Sequence, residues 1–232
     1  RFEGARLSAM LDGPFSDLTI KHELSIDTLE AAGVVTASGL AQSGTATFNG
    51  EALLVPLNIA AERIVTGNST VDPALLRGTL TGLLSYEGGR IEADNTRLAF
   101  RDLAAQLTLR GDVGEGVYAI AGPISTRGFM LEDVGRLSAE AKLLAKFGSD
   151  VPWSVRANIA GRVNEVANAS IANLAGEDVR FAGSLGMGAD APVVLRDVTL
   201  ESERLDLALD SRIIGERTML AGSGEHVDYG AF

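Results

Sequence analysis

The chain has no cysteine, so disulfide frameworks, thiolate metal sites and cysteine nucleophiles are excluded together. It has two histidines, His22 and His226, isolated from one another and outside any paired zinc spacing or HExxH helix. Aromatics make up 5% of the residues although 46% are hydrophobic, so any interior is built of thin side chains. Basic residues are outnumbered, with 20 Lys and Arg against 31 Asp and Glu and a formal charge of −11. That balance opposes electrostatic attraction to nucleic acid or to an anionic membrane surface. No apolar run approaches the roughly 20 residues that span a bilayer, and Arg1 to Met10 lack the apolar centre of a signal peptide. A numbering that opens on Arg1 leads to the expectation of a chain cut from something longer, with any membrane anchor outside it.

What is present is alternation of apolar and polar residues, the pattern of strands with one dry and one wet face. Between Asp17 and Asp27, Leu18, Ile20, Leu24 and Ile26 point one way and the polar residues the other, with His22 interrupting the apolar side. Leu53, Val55, Leu57 and Ile59 repeat the pattern, and a phase slip towards Ile64 suggests a β-bulge. Pro56, on the opposite side, suggests an edge or unpaired position. Further runs are Leu103, Leu107 and Leu109, then Val155 and Ile159 following Trp153, then Leu205, Leu207 and Leu209.

Turn chemistry separates these runs at Asp12-Gly13-Pro14, Asn49-Gly50, Glu87-Gly88-Gly89 and Gly186 to Pro192. Connections this short imply antiparallel hairpins. One segment departs from the pattern: Met130, Val134, Leu137, Ala141 and Leu144 recur at helical spacing, with Glu132 and Asp133 early, Lys142 and Lys146 late, and Gly148 beyond. An amphipathic helix is expected near residues 130–147, and a shorter helical turn from Asp72 to Arg77, where Pro73 suits the start and Gly78 the end. The expected organisation is a strand region over 1–128, a helical insertion over 129–148 and a continuing strand region over 149–232. No strict sequence repeat with fixed glycines is visible.

Signals for chemistry are weak. Gly186-Met187-Gly188-Ala189-Asp190-Ala191 fits a relaxed dinucleotide pattern, but Pro192 and the strand-like Val193-Val194-Leu195 follow it, so no helix N-terminus is available for a pyrophosphate. There is no Gly-x-Ser-x-Gly elbow, and the carboxylates are scattered along the polar sides of strands. Asn68-Ser69-Thr70 and Asn168-Ala169-Ser170 match the glycosylation triplet, a pattern short enough to arise by chance. The expectation is a non-enzymatic protein with no cofactor, no metal and no catalytic residue.

Two uses of the apolar faces stay open. In a closed sandwich they pack against each other; in a sheet bent into an open trough they form a floor able to hold acyl chains. A structural sandwich or stalk that recruits partners through its edges is the alternative to the trough.

A resemblance bears on that choice. Val198-Thr199-Leu200-Glu201-Ser202, Leu205 to Ser211, the turn at Gly215 and the closing Gly222 to Gly230 resemble the strand grammar of the TamB branch of the AsmA-like, bridge-forming lipid-transfer family. Val71-Asp72-Pro73-Ala74-Leu75-Leu76-Arg77-Gly78 followed by Thr79 to Gly82 resembles the way the family opens a new strand series. The resemblance implies a periplasmic protein anchored in the inner membrane by a segment outside this chain. It implies a long, curved antiparallel sheet forming an open, U-shaped hydrophobic groove (a β-taco) that shelters phospholipid acyl chains in transit between inner and outer membranes. It also implies a TamA-like partner of the outer-membrane assembly type.

Overall fold

The computed structural model describes residues 1–31, 35–67, 69, 71–131, 134–189, 191–214 and 217–226. Asn68, Thr70, Glu132, Asp133, Asp190, Gly215, Val227, Asp228, Tyr229 and Gly230, used above, lie outside them. Alternation dominates, and strands result: β1 (Phe2–Glu3), β2 (Arg6–Asp12), β3 (Leu18–Ala31), β4 (Val35–Phe48), β5 (Ala52–Val65), β6 (Leu76–Glu87), β7 (Arg90–Ala99), β8 (Leu103–Asp112) and β9 (Val117–Leu131). They continue as β10 (Gly135–Gly148), β11 (Ser154–Asn164), β12 (Asp178–Gly188), β13 (Ala191–Glu201), β14 (Leu205–Ile214) and β15 (Arg217–His226). A 3-10 turn, Asp72–Ala74, precedes β6, and a short helix α1, Ala169–Ala175, precedes β12.

These strands form one open antiparallel sheet of 15 strands, ordered along the sheet as along the chain; β1 and β2 share β3 as their partner. The expected turns at Gly13, Asn49-Gly50 and Gly88-Gly89 all fall between consecutive strands. Gly88 and Gly89 take φ of +54° and +82°, which a Cβ would penalise. The chain divides within β9 into two compact units, Arg1–Gly122 and Pro123–Phe232.

No second layer covers the sheet among the described residues. Among the described residues the buried hydrophobic ones are eight alanines and Val179, and no large side chain is fully enclosed. The chain exposes 15190 Å², whereas two separate globular units of half its mass would expose about 12,000 Å² together. Stability therefore comes from main-chain ladders and cross-strand side-chain pairs rather than from a sealed core.

Both units carry the same irregularity. In the first, registers shift between Thr81 and Leu83 on β6 and between Ala93 and Thr96 on β7, and Asn95 adopts φ +54°. In the second, they shift between Ala182 and Ser184 on β12 and between Leu195 and Val198 on β13, and Asp197 adopts φ +51°. Each β-bulge faces a glycine: a Cβ at Gly82 would sit 3.2 Å from Thr96 Cα, and one at Gly183 would sit 3.2 Å from Val198 Cα. A second correspondence links Gly122, whose Cβ would strike the Gln106 carbonyl, to Gly222, whose Cβ would lie 2.6 Å from the Ala208 carbonyl oxygen. The two short helical pieces also match, each sitting just before the bulge-bearing strands. Strands β3–β8 and β9–β14 are thus two copies of one structural repeat, although their residues differ.

Several expectations change. The helix near 130–147, and with it the helical insertion, is replaced by the end of β9 and by β10. Leu137, Ala139, Ala141 and Leu143 also alternate with the polar Ser138, Glu140 and Lys142, and pairing of the segment with β11 outweighs the helix preference of Ala, Leu, Glu and Lys. The turn expected over Asp72–Arg77 is shorter, ending at Ala74, because Leu76 onward pairs with β5. No register shift accompanies the phase slip after Ala61. The slip coincides instead with Glu62, which lies between Gly39 on β4 and Arg77 on β6, with φ of +59° and +53°.

Two predictions follow from buried or capped polar groups. Thr96 is 6% exposed and its hydroxyl has no hydrogen-bond partner among the described residues, while the equivalent position in the second unit is Val198. Thr96→Val removes the stranded hydroxyl at constant shape, and is expected to stabilise by about 1 kcal/mol, seen as a rise in melting temperature of roughly 2–4 °C. A fall on calorimetry would show that the hydroxyl is satisfied in solution.

Asp72 Oδ1 accepts hydrogen bonds from the Thr66 amide at 2.7 Å and the Thr66 hydroxyl at 2.8 Å. The Thr66 amide bond is the main reason its carboxyl is held below the ordinary value of 3.8. A depressed carboxyl contributes its stabilisation above the unfolded pKa and loses it as pH falls through the lower, folded value. Hydrogen exchange at the Thr66 amide is expected to quicken, relative to its intrinsic rate, as pH drops below 3.8. Asp72→Asn should abolish that pH dependence; unchanged dependence would locate the titrating group elsewhere.

Candidate binding face

Directly paired residues of an antiparallel sheet lie on the same face, so the registers show which side chains gather together. In the first unit Leu18, Ile20, Leu24 and Ile26 pair with Phe48, Ala46, Gln42 and Leu40. Phe48 pairs with Leu53 and Gln42 with Ile59, and Val55 and Leu57 alternate in phase between them. Leu57 then pairs with Gly82 and Ile59 with Leu80. Ala93 pairs with Leu109, Thr96 with Leu107 and Leu98 with Ala105, and Leu103 follows in the same phase. Every residue expected in the apolar set of this unit therefore occupies one face.

In the second unit Val155 pairs with Met187 and Ile159 with Gly183, while Leu207 pairs with Leu200 and Leu209 with Val198. Leu205 shares their phase on β14 and pairs with His226. The sequence list omitted members of the same faces: Leu80 and Leu84 on β6, Leu98 on β7, Leu143 on β10, and Leu185 and Leu200. Alternation signals most of them, but Gly82 and Gly183 break the apolar series of β6 and β12, and β10 reads as a helix.

The larger apolar side chains of these faces are mostly half-buried. Neighbouring strands shield them sideways, and nothing seals them from above among the described residues. The opposite faces are polar: Arg110 contacts Asp94 at 2.7 Å and Glu92 at 3.9 Å across β7 and β8, and Lys21, Glu23, Lys142 and Arg156 are likewise outside the apolar phase. Such exposed ion pairs contribute little stability; they keep that face wet.

One polar cluster interrupts the apolar face. Pro56 lies in β5, an interior strand paired with β4 and β6, rather than at an edge. Its missing N–H is tolerated because pairing between β4 and β5 lapses from Gln42↔Ile59 to Thr47↔Leu54. The Gln42 side chain spans the gap: Nε2 donates to the Pro56 carbonyl at 2.8 Å, and Oε1 accepts from the Asn58 amide at 2.8 Å. Nε2 also lies 3.2 Å from His22 Nε2. His22 thus sits beside a backbone repair, its ring nitrogens near the Ile20 carbonyl and Gln42 Nε2, and His226 ends β15.

Among the described residues no group of three His, Asp or Glu is placed to hold a metal ion, and no helix is long and apolar enough to cross a membrane. Gly186–Gly188 belong to β12, followed by β13, so the dinucleotide pattern lies on a hairpin without a helix. A depression of about 850 Å³ is lined by α1 and charged residues including Arg180, Glu201 and Arg204, and Arg204 Nη1 donates to the Asn173 carbonyl at 3.0 Å. No protein-family model, curated protein or solved structure matches the chain.

Gln42→Leu keeps the apolar volume and removes two hydrogen bonds to otherwise unpaired backbone groups. At about 0.5–1.5 kcal/mol each, the expected loss is roughly 1–3 kcal/mol by denaturant unfolding. An unchanged midpoint would mean that water replaces Gln42 without cost.

Proposed function

We propose that this chain is a non-enzymatic lipid-sheltering segment in which the apolar face of the sheet holds phospholipid acyl chains while head groups stay in water. The observation that carries the reading is a leucine- and isoleucine-rich face, shared by strand after strand within each unit, with no second layer over it. An uncovered apolar face of this kind marks binding in a water-soluble protein. A lipid tail suits it because the face is uniform: it offers area at about 25 cal/mol per Å² and few hydrogen-bond donors that would fix one small molecule. Thin side chains leave room for a tail, and the polar outer face explains how the sheet remains hydrated.

The resemblance to the TamB branch of the AsmA-like family extends this reading. The sheet would bend into a groove in the periplasm, be tethered to the inner membrane through a segment outside this chain, and carry phospholipid between inner and outer membranes beside a TamA-like assembly partner. It would also support outer-membrane protein assembly. Nucleic acid has no place in this scheme, because the chain carries a charge of −11, and no cofactor is needed for passive shelter.

Leu57 and Leu207 test the proposal, since each lies on the apolar face of its own unit. An arginine at either position removes a leucine's share of burial, about 1.5–3 kcal/mol, so phospholipid retained on purification, read by native mass spectrometry, should fall roughly tenfold or more. Leu83→Arg, at a half-exposed leucine on the opposite face, should leave it unchanged. Retention equal to the parent in both face variants would overturn the lipid reading.

A further inference from the structure

An ionisable side chain lies within the apolar face of the first unit. Between Leu18 and Ile26, His22 keeps the phase of the leucines and isoleucines, half-buried between Ala9 of β2 and Gly44 of β4. A Cβ at Gly44 would come within 3.5 Å of His22 Cε1 and 3.2 Å of Pro56 Cγ, so a glycine there makes room for the ring. Among the described residues no charged group faces it. In its phase β2 presents Leu7 and Leu11 and β4 presents Gln42 and Ala46, whereas Arg6, Asp12, Lys21 and Glu23 take the opposite phase. β4 carries no charged residue, and β5 carries none before Glu62.

Gln42 fixes the state of this ring. The Asn58 amide can only donate and the Pro56 carbonyl can only accept, so their 2.8 Å contacts settle which end of the Gln42 side chain is Oε1 and which is Nε2. One Nε2 hydrogen goes to Pro56, and the other points to His22 Nε2 at 3.2 Å. That ring nitrogen must therefore accept, which leaves the imidazole proton on Nδ1, 3.4 Å from the Ile20 carbonyl that receives it. A second proton has no place here. An N–H on Nε2 would face the Gln42 amide group, donor against donor, and Gln42 cannot turn over without breaking both backbone bonds.

We propose that His22 is a proton-operated switch in the apolar face, held in its neutral Nδ1–H form by Gln42. When solvent supplies a proton to Nε2, the hydrogen bond from Gln42 is lost and the imidazolium turns out of the face towards water, leaving the Pro56 repair uncovered on one side. Histidine changes charge between about pH 5 and 8, so acidification interrupts the face where β3 and β4 meet. The consequence for cargo rests on the lipid reading: an acyl chain lying there meets a cation where it met a neutral ring, and it is released at acidic pH.

Nitrogen NMR of the whole chain, labelled at histidine and glutamine, tests the switch without lipid. At about pH 8 His22 should show a protonated Nδ1 and an unprotonated Nε2, and on acidification the Gln42 side-chain amide signals should shift in step with those of His22. Gln42→Leu should abolish the preference for Nδ1–H. A proton on Nε2 at the higher pH, or Gln42 signals indifferent to the titration, would overturn the proposal. The effect on cargo is read separately, as phospholipid retained at about pH 5 relative to about pH 8. Retention should fall severalfold on acidification in the parent and hold in His22→Gln, which takes no proton in this range. Equal falls in the two would sink the switch and leave the lipid reading intact. A parent empty at both pH values would overturn the lipid reading alone, the nitrogen spectrum still deciding the switch.

Discussion

The main-chain ladder is the constraint on which everything else in this protein rests. In a layered domain a strand is held twice, by its hydrogen-bonded neighbours and by the layer packed on its face. Here the second support is missing among the described residues, and their buried hydrophobic set is confined to alanines and one valine. Each strand therefore depends on the two beside it, and local faults in the ladder need local repair. Gln42 does this at Pro56, replacing two backbone pairings with side-chain hydrogen bonds. The glycines opposite Asn95 and Asp197 do it differently, by giving space to a bulge that would otherwise force the strands apart.

A ladder without a covering layer also separates the two faces chemically. Cross-strand pairing keeps the apolar residues of each unit in phase through several strands, and the charged residues fall on the other side. Two register shifts within a unit restore this phase rather than destroy it: the bulge at Asn95 carries Thr96 and Leu98 back onto the face that Leu80 and Leu84 occupy. The proposed lipid shelter uses only this property. It needs area and continuity within the sheet, and no individual residue that performs chemistry.

Much of the strand pattern was legible. Leu18 to Ile26, Leu53 to Ile59, Leu103 to Leu109 and Leu205 to Leu209 have a two-residue period that only a strand satisfies, and the glycine turns separate them where the hairpins fall. β10 was not legible, because Leu137, Ala141 and Leu144 fit a helical period while Leu137, Ala139 and Ala141 fit a strand period. Local preference favours the helix, and the ladder with β11 decides for the strand. The internal repeat was hidden for a related reason. It resides in backbone geometry, a bulge opposite a glycine, and Thr96 and Val198 or Asn95 and Asp197 fill equivalent positions without being the same residue.

The sequence alone therefore determined that this is a β protein with one apolar and one polar side to its strands, without cysteine chemistry and without an evident catalytic constellation, because composition and a two-residue period act locally. Only the tertiary structure decided that the strands join into one open sheet instead of a sandwich and that residues 135–148 pair rather than coil. Those outcomes depend on which strands become neighbours. Neighbourhood is a property of long-range hydrogen bonding that no single segment encodes.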